Sequence, residues 1–225
     1  MPQQKRAQAT RAAIIRGAAV VFDEHGYSEA SLDLVAETAT VTKGALYFHF
    51  RSKADLANAV IAEQHALSRA YADRVSETAG SGAEALMLSC ASLATQLTTE
   101  VLVTAGIRLT TQSPSRDLRV EHPYLDWQAQ ISGLVERAVA DGDFRDDTDV
   151  ESVARFVVGS YAGVHIVSQA LTGRADLFDR LRDMWAFVLP TVVAPGREGL
   201  TSSLPPLIRP SVVPPSPDVS SVHPD

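Results

Sequence analysis

Residues 32–56, LDLVAETATVTKGALYFHFRSKADL, decide the fold of the first part of the chain. Two short helical patterns follow one another here. Ser31 is a good N-cap for a helix over 32–38, and Thr42 for a second over 43–48. Leu32, Val35 and Ala36 face inward on the first, Ala39 and Val41 pack the turn, and Leu46 and Phe50 bring the second onto the same core. Two short helices joined by a brief turn make a helix-turn-helix.

That inward set leaves Thr42, Lys43, Gly44 and Tyr47 facing outward. A helix entering the major groove reads bases with its N-terminal residues, so Lys43 suits guanine O6 or N7, and Thr42 a phosphate or a thymine methyl. Gly44 has no side chain to hold the backbone away from DNA. Tyr47, His49 and Lys53 are placed for phosphates, helped by the positive end of a helix that begins near Ser52, where Asp55 completes capping-box spacing. Arg6, in the basic opening stretch MPQQKRAQATRA, joins them as a DNA-binding candidate. Each of these is by itself an ordinary solvated side chain. The agreement of the inward and outward sets is what points to DNA.

Working outward, a helix over 4–25 carries Ile14, Ala18, Val21 and Phe22 on one face and ends at Gly26. Helices over 52–77, 83–98, 101–111, 123–140, 149–171 and 175–193 follow, with breaks at Gly80–Gly82 and Gly173 and a proline-bounded loop over 113–122. The chain therefore reads as all-α, with about nine helices. It divides into a helix-turn-helix DNA-binding domain (1–51), a ligand-binding and dimerisation domain (52–194) and a tail (195–225). Eight of the twelve prolines fall in that tail among Ser, Val and Asp, so it is expected to be disordered.

Composition narrows the function. Hydrophobic residues make up 45% of the 225, enough to bury a core. The single cysteine, Cys90, excludes an internal disulfide and a cysteine-cluster zinc site, and no signal peptide or membrane-length apolar run is seen. A cytoplasmic protein without membrane contact is expected. The net charge of −7 hides an asymmetry: through Lys53 there are seven basic and five acidic residues, giving +2, against 13 and 22 beyond, giving −9. Phosphate contact needs only local positive charge. Histidines are scattered, with no metal or nucleophile motif and no glycine-rich phosphate loop, so no enzyme, metal or cofactor is expected. The acidic stretch 141–151 reads as a solvated loop.

VTKGALYFHFRSKADL at 41–56 resembles the signature of the TetR family of bacterial repressors. One departure is Thr40, where the family usually has glycine; a left-handed backbone there costs threonine about 1 kcal/mol. Within the family the sequence is most similar to γ-butyrolactone receptors, on TKGALYFHF (42–50), AGIRL (105–109), HPYLDW (122–127) and GSYAGVHIVSQ (159–169). The resemblance implies a homodimer that binds double-stranded operator DNA and leaves it when a small-molecule inducer, a γ-butyrolactone or butenolide, enters the C-terminal domain. It also implies control of secondary metabolism and a pocket lined by Trp127. A TetR-type repressor of an efflux pump that responds to drugs is the alternative.

Read as residues, Trp127 and Tyr124 lie one turn apart on a helix after the proline-bounded loop, so both rings suit a shared cavity; core packing is the plain alternative for each. A lactone with an alkyl arm calls for apolar walls and a few fixed polar groups. Gln64 and His65 in the fourth helix, and Ser160 and Tyr161 in the penultimate one, are the polar candidates. The last two helices carry Val153, Phe156, Val157, Ser160, Val164, Val167 and Ala170, then Leu177, Leu181, Met184, Trp185, Val188 and Leu189. That exceeds what one partner helix needs and suggests a four-helix dimer interface. The alternative is that these faces close the monomer core.

Overall fold

A computed structural model describes residues 2–112 and 117–210. Its elements are α1 (Pro2–Glu29), α2 (Leu32–Thr38), α3 (Lys43–His49), α4 (Lys53–Thr78), α5 (Gly82–Thr99), α6 (Val101–Gln112), α7 (Glu121–Ala140), α8 (Val150–Thr172), α9 (Leu177–Val192), α10 (Leu200–Ser203) and a 3-10 turn, Pro205–Leu207. The all-α expectation holds: among the described residues the β geometry is one isolated bridge, Phe144 to Val193. Also among them, no single helix is long and apolar enough to cross a membrane. The chain forms two compact units, Met1–Ser68 with Thr99–Glu121, and Arg69–Thr98 with His122–Asp225. The first unit thus takes in α6 and the opening turns of α4 as well as the helix-turn-helix.

In the first unit the caps are the ones the sequence offers. Ser31 Oγ accepts from Leu34 N at 3.1 Å, and Thr42 Oγ1 from Ala45 N at 3.2 Å. Ile14, Ala18, Val21 and Phe22 of α1 bury against Val35, Ala36, Leu46 and Phe50, with Leu56 and Val60 of α4 and Ala105 and Leu109 of α6. Each large side chain removed from water contributes about 1.5 to 3 kcal/mol, so this shared core holds the small helices that could not stand alone. The turn between α2 and α3 is a Schellman motif: Thr40 N donates to Glu37 O and Val41 N to Ala36 O, both at 3.0 Å. Thr40 occupies its left-handed position, with φ of 55°. The expected end of the first helix at residue 25 is only half right. Gly26 breaks the helix (φ 72°, ψ 173°), but another turn follows to Glu29.

In the second unit Asp149 caps α8, its Oδ1 accepting from Ser152 N at 3.0 Å, and left-handed Gly173 ends it. Tyr161 Oη of α8 donates to the Cys90 carbonyl of α5 at 3.2 Å, and Arg174 donates to Leu97 O at 2.8 Å, satisfying a carbonyl of α5's last turn. The expected dimer face divides in two. Leu177, Leu181, Met184, Trp185, Val188 and Leu189 are buried within the protomer and form core. Of the expected set, Phe156 and Val167 of α8 are exposed, joined by Leu171 of α8 and by Phe187 of α9, the last at 82%. The correction has a simple cause: α9 is amphipathic, and its wider apolar face is taken by its own chain.

The tail expectation also needs correction as far as Pro210. Arg197 pairs with the buried carboxylate of Asp143, and Ala194 N donates to Asp143 O at 2.9 Å. Leu204, Pro205 and Ile208 are buried, and Arg182 Nη1 donates to Ile208 O at 2.8 Å. Residues 211–225 lie outside the described residues.

Replacing Thr40 with glycine removes a strain of about 1 to 2 kcal/mol, partly offset by about 0.4 to 1 kcal/mol of extra freedom in the unfolded chain. Thr40→Gly is therefore expected to raise Tm by about 2 to 4 °C at most, read by thermal denaturation. A lowered Tm would mean that the strain at this turn is smaller than the freedom that glycine adds to the unfolded chain.

Candidate functional site

α3 is short, and its capping decides which groups remain outward. Thr42 Oγ1 accepts the Ala45 N–H, which orients the side chain and leaves its methyl, its hydroxyl hydrogen and one lone pair for a partner. Lys43 points its Nζ at Asp33 Oδ2 of α2, 2.7 Å away, both side chains about two-thirds exposed (65% and 63%). The Asp33 carboxylate raises the pKa of the ammonium. A Cβ at Gly44 would meet nothing within 4 Å, so the glycine leaves a bare stretch of helix surface and relieves no internal clash. Tyr47 is half exposed. Phe48, which the sequence reading passed over, is 81% exposed. Its signal was present: Leu46 and Phe50, one turn apart, already fill the inward face and leave Tyr47 and Phe48 no core position. His49 lies between aromatic rings, 5.1 Å from Phe48 edge-on and 6.5 Å from Phe50. Arg6 is exposed on α1.

Lys53 departs from the expected set. Its Nζ donates to the carbonyls of Tyr27 (2.7 Å), Ser28 (3.2 Å) and Ala30 (3.0 Å) and lies 4.7 Å from the Tyr27 ring centroid. All three ammonium hydrogens are used inside the protein, which leaves none for a phosphate. The reason lies at Gly26: a broken helix leaves carbonyls without partners, and Lys53 collects those beyond the break while Arg108 of α6 donates to Asp23 O before it. Ser52 Oγ accepts from Asp55 N at 3.0 Å, and Asp55 Oδ2 accepts from Arg51 N at 3.1 Å, one residue earlier than a strict capping box.

Of the ligand candidates, Tyr124 and Trp127 are brought together on α7, ring centroids 5.4 Å apart and edge-on at 83°, both half-buried. Burial raises the Tyr124 phenol above its usual pKa. In the first unit Gln64 is buried; its Nε2 donates to Ser68 Oγ at 3.0 Å, while Oε1 has no hydrogen-bond partner among the described residues. Gly106 of α6 makes room for it, since a Cβ there would come within 2.5 Å of Gln64 Cβ. His65 beside it and Ser160 on α8 are half-buried. Tyr161 is buried and commits its hydroxyl to Cys90 O, which makes it a tie between α8 and α5. Burial also pushes the Cys90 thiol up to about 11 and holds His165 down to about 4, the latter helped by Arg174, so at neutral pH the thiol and the imidazole are both uncharged. Among the described residues no group of three His, Cys, Asp or Glu is placed to hold a metal ion.

Residues 14–60 match the family model described as bacterial regulatory proteins, tetR family, and 80–194 match the tetracyclin repressor-like C-terminal domain. The chain belongs to the TetR family. This TetR-family chain is 34% identical over 196 residues to the A-factor receptor protein of Streptomyces griseus, covering 87% of this chain and 68% of that protein. Among solved structures it is similar to a gamma-butyrolactone receptor, ArpA-like, with TM-score 0.75, 35% identity and coverage of 90% and 98%. It is equally similar to CprB of Streptomyces coelicolor solved with its operator sequence, with TM-score 0.75, 34% identity and coverage of 91% and 98%. The regulator TtgR of Pseudomonas putida is 44% identical, but over 57 residues only, 25% of this chain and 27% of that protein. In this member of the family Lys53 supports the fold of the head. Lys53→Met is expected to destabilise the first unit by about 1 to 3 kcal/mol, through carbonyls left unpaired. Loss of a phosphate contact would reduce the magnitude of the salt slope of DNA binding by about 0.9, so an unchanged slope in a fluorescence titration is the expected result.

Proposed function

We propose that this chain is a homodimeric repressor that binds a near-palindromic operator through α3 of each copy and leaves it when a γ-butyrolactone or butenolide binds. It acts in the cytoplasm and controls secondary metabolism. The observation that carries the reading is the outward face of α3, with Lys43, Gly44 and Tyr47 presented on one short helix, in a chain similar along nine-tenths of its length to gamma-butyrolactone receptors. Lys43 suits a guanine edge, Thr42 and Tyr47 suit flanking phosphates or a thymine methyl, and Arg6 suits the backbone. The fit of successive major grooves needs two such helices at fixed spacing, which only a two-fold dimer provides. The exposed apolar side chains Phe156, Val167, Leu171 and Phe187 are what a second copy would cover.

Trp127 offers the apolar surface of its ring, with Tyr124 edge-on against it, and this pair is the proposed ligand contact of the second unit. In the first unit, Gln64 is the polar candidate, its Oε1 buried without a hydrogen-bond partner among the described residues. His65 and Ser160 are further polar candidates. α4 links the two ends of the mechanism: it is one helix whose first turns belong to the first unit and whose later turns belong to the second. A ligand changes DNA affinity only by preferring one arrangement of the heads, typically by about 1 to 3 kcal/mol. The family is one of regulators, and no catalytic role is proposed. The efflux-pump reading is less favoured, because the relatives that the chain matches along most of its length are an A-factor receptor and gamma-butyrolactone receptors.

Trp127→Ala is expected to keep operator binding within about 1 kcal/mol of the parent while losing release by γ-butyrolactone in gel-shift titrations, since the ring faces ligand and not DNA. Release at the parental ligand concentration would refute the role given to Trp127. Phe187→Glu is expected to yield a monomer by light scattering, with poor operator affinity; a parent that is already monomeric excludes the dimer.

A further inference from the structure

On α2, Asp33 and Glu37 are one helical turn apart and both exposed, so this helix carries two carboxylates on a face beside the basic start of α3. In a helix-turn-helix the first helix crosses the DNA backbone, where a carboxylate is repelled by phosphate. The Asp33 carboxylate is not idle there. It receives the Lys43 ammonium at 2.7 Å, while on the same first turn of α3 the Thr42 oxygen is engaged in capping and Gly44 has no side chain. Lys43 is thus the only charged group that this turn directs outward.

We infer that Asp33 is a positioning residue for Lys43: it holds one ammonium hydrogen so that the other two meet a base edge, and thereby sets the margin by which the head prefers its operator. The inference rests on the reading of α3 as the helix that meets DNA. An ammonium has three donors, and a guanine edge offers two acceptors, O6 and N7. Asp33 takes the remaining donor, so the pair need not break when the base is met. A free lysine on a flexible stem reaches any nearby phosphate, which adds affinity without sequence information. Held by Asp33, it forgoes much of that non-specific contact and loses less freedom on meeting the base, because part of its rotamer freedom is already given up. The arrangement trades affinity for all DNA against discrimination between DNAs.

The test uses the full-length protein, the palindromic duplex that the parent recovers from a random-sequence pool, and a scrambled duplex of the same composition. Asp33→Asn keeps size and helix position but replaces the charge-assisted bond with a weaker neutral one, and Asp33→Ala removes the acceptor and releases the lysine altogether; both are expected to act in the same direction, the alanine more strongly. The affinity of Asp33→Asn for the scrambled duplex is expected to rise several-fold with little gain on the selected duplex, so that the ratio of the two Kd values falls about five-fold or more. Glu37→Gln adds the same charge without a lysine partner and is expected to shift both duplexes by one factor. In a Lys43→Ala background Asp33→Asn is expected to leave the ratio where it was. Three results overturn the inference: Asp33→Asn shifting both duplexes equally, as a pure charge effect would; Asp33→Asn tightening the selected duplex more than the scrambled one; or the ratio changing as much without Lys43 as with it. Should the parent recover no preferred duplex from the pool, it is the DNA-binding reading itself that fails.

Discussion

The ammonium of Lys53 fixes the head. A helix that breaks at a glycine leaves carbonyl oxygens with no amide to receive, and at the end of α1 these are drawn onto one cation from the first residue of α4, with Arg108 holding another from α6. An unpaired buried carbonyl costs about 1 to 3 kcal/mol, so the alternative to this gathering is a frayed end. Residue 30 and residue 53 are thereby held together, and α2 and α3 are what lies between them. Whatever α3 presents to a partner is presented from that closed loop.

What could be read in the sequence was what is settled locally. Ser31, Thr42 and Asp149 cap helices because a side-chain oxygen three residues before an amide needs no distant partner. Thr40 was legible as a strained residue only through the family resemblance, which puts glycine at this turn; the Schellman hydrogen bonds and the left-handed backbone then agree with it. The destination of Lys53 was not legible, because a long flexible chain at a helix start serves a phosphate or a carbonyl equally well. Leu181 and Phe187 show a further limit. Periodicity put Leu181 on the apolar stripe of α9 and left Phe187 off it, but only the packed chain tells that the stripe is covered by its own protomer while Phe187 stays exposed. The buried Leu204 and Ile208 are the extreme case, lying among prolines with no period to reveal them.

The short AGIRL stretch of α6 gains a physical meaning. Its Gly106 lets Gln64 of α4 approach to contact distance, and two residues on its Arg108 takes the Asp23 carbonyl at the end of α1. One turn of helix thus touches both a buried amide with an unused oxygen and the closure of the head.

The strap that follows α9 bears on where this protein can be cut. The family match ends at residue 194, and a deletion planned from it would leave the Asp143 carboxylate buried without Arg197 and take Ile208 from the Arg182 guanidinium. A buried carboxylate that loses its only charged partner is strongly destabilising, because the charge stays out of water with nothing to compensate it. Shortened versions for fusion or crystallisation should therefore retain Pro210, and a premature stop just after α9 would produce a weakened protein, not a trimmed one.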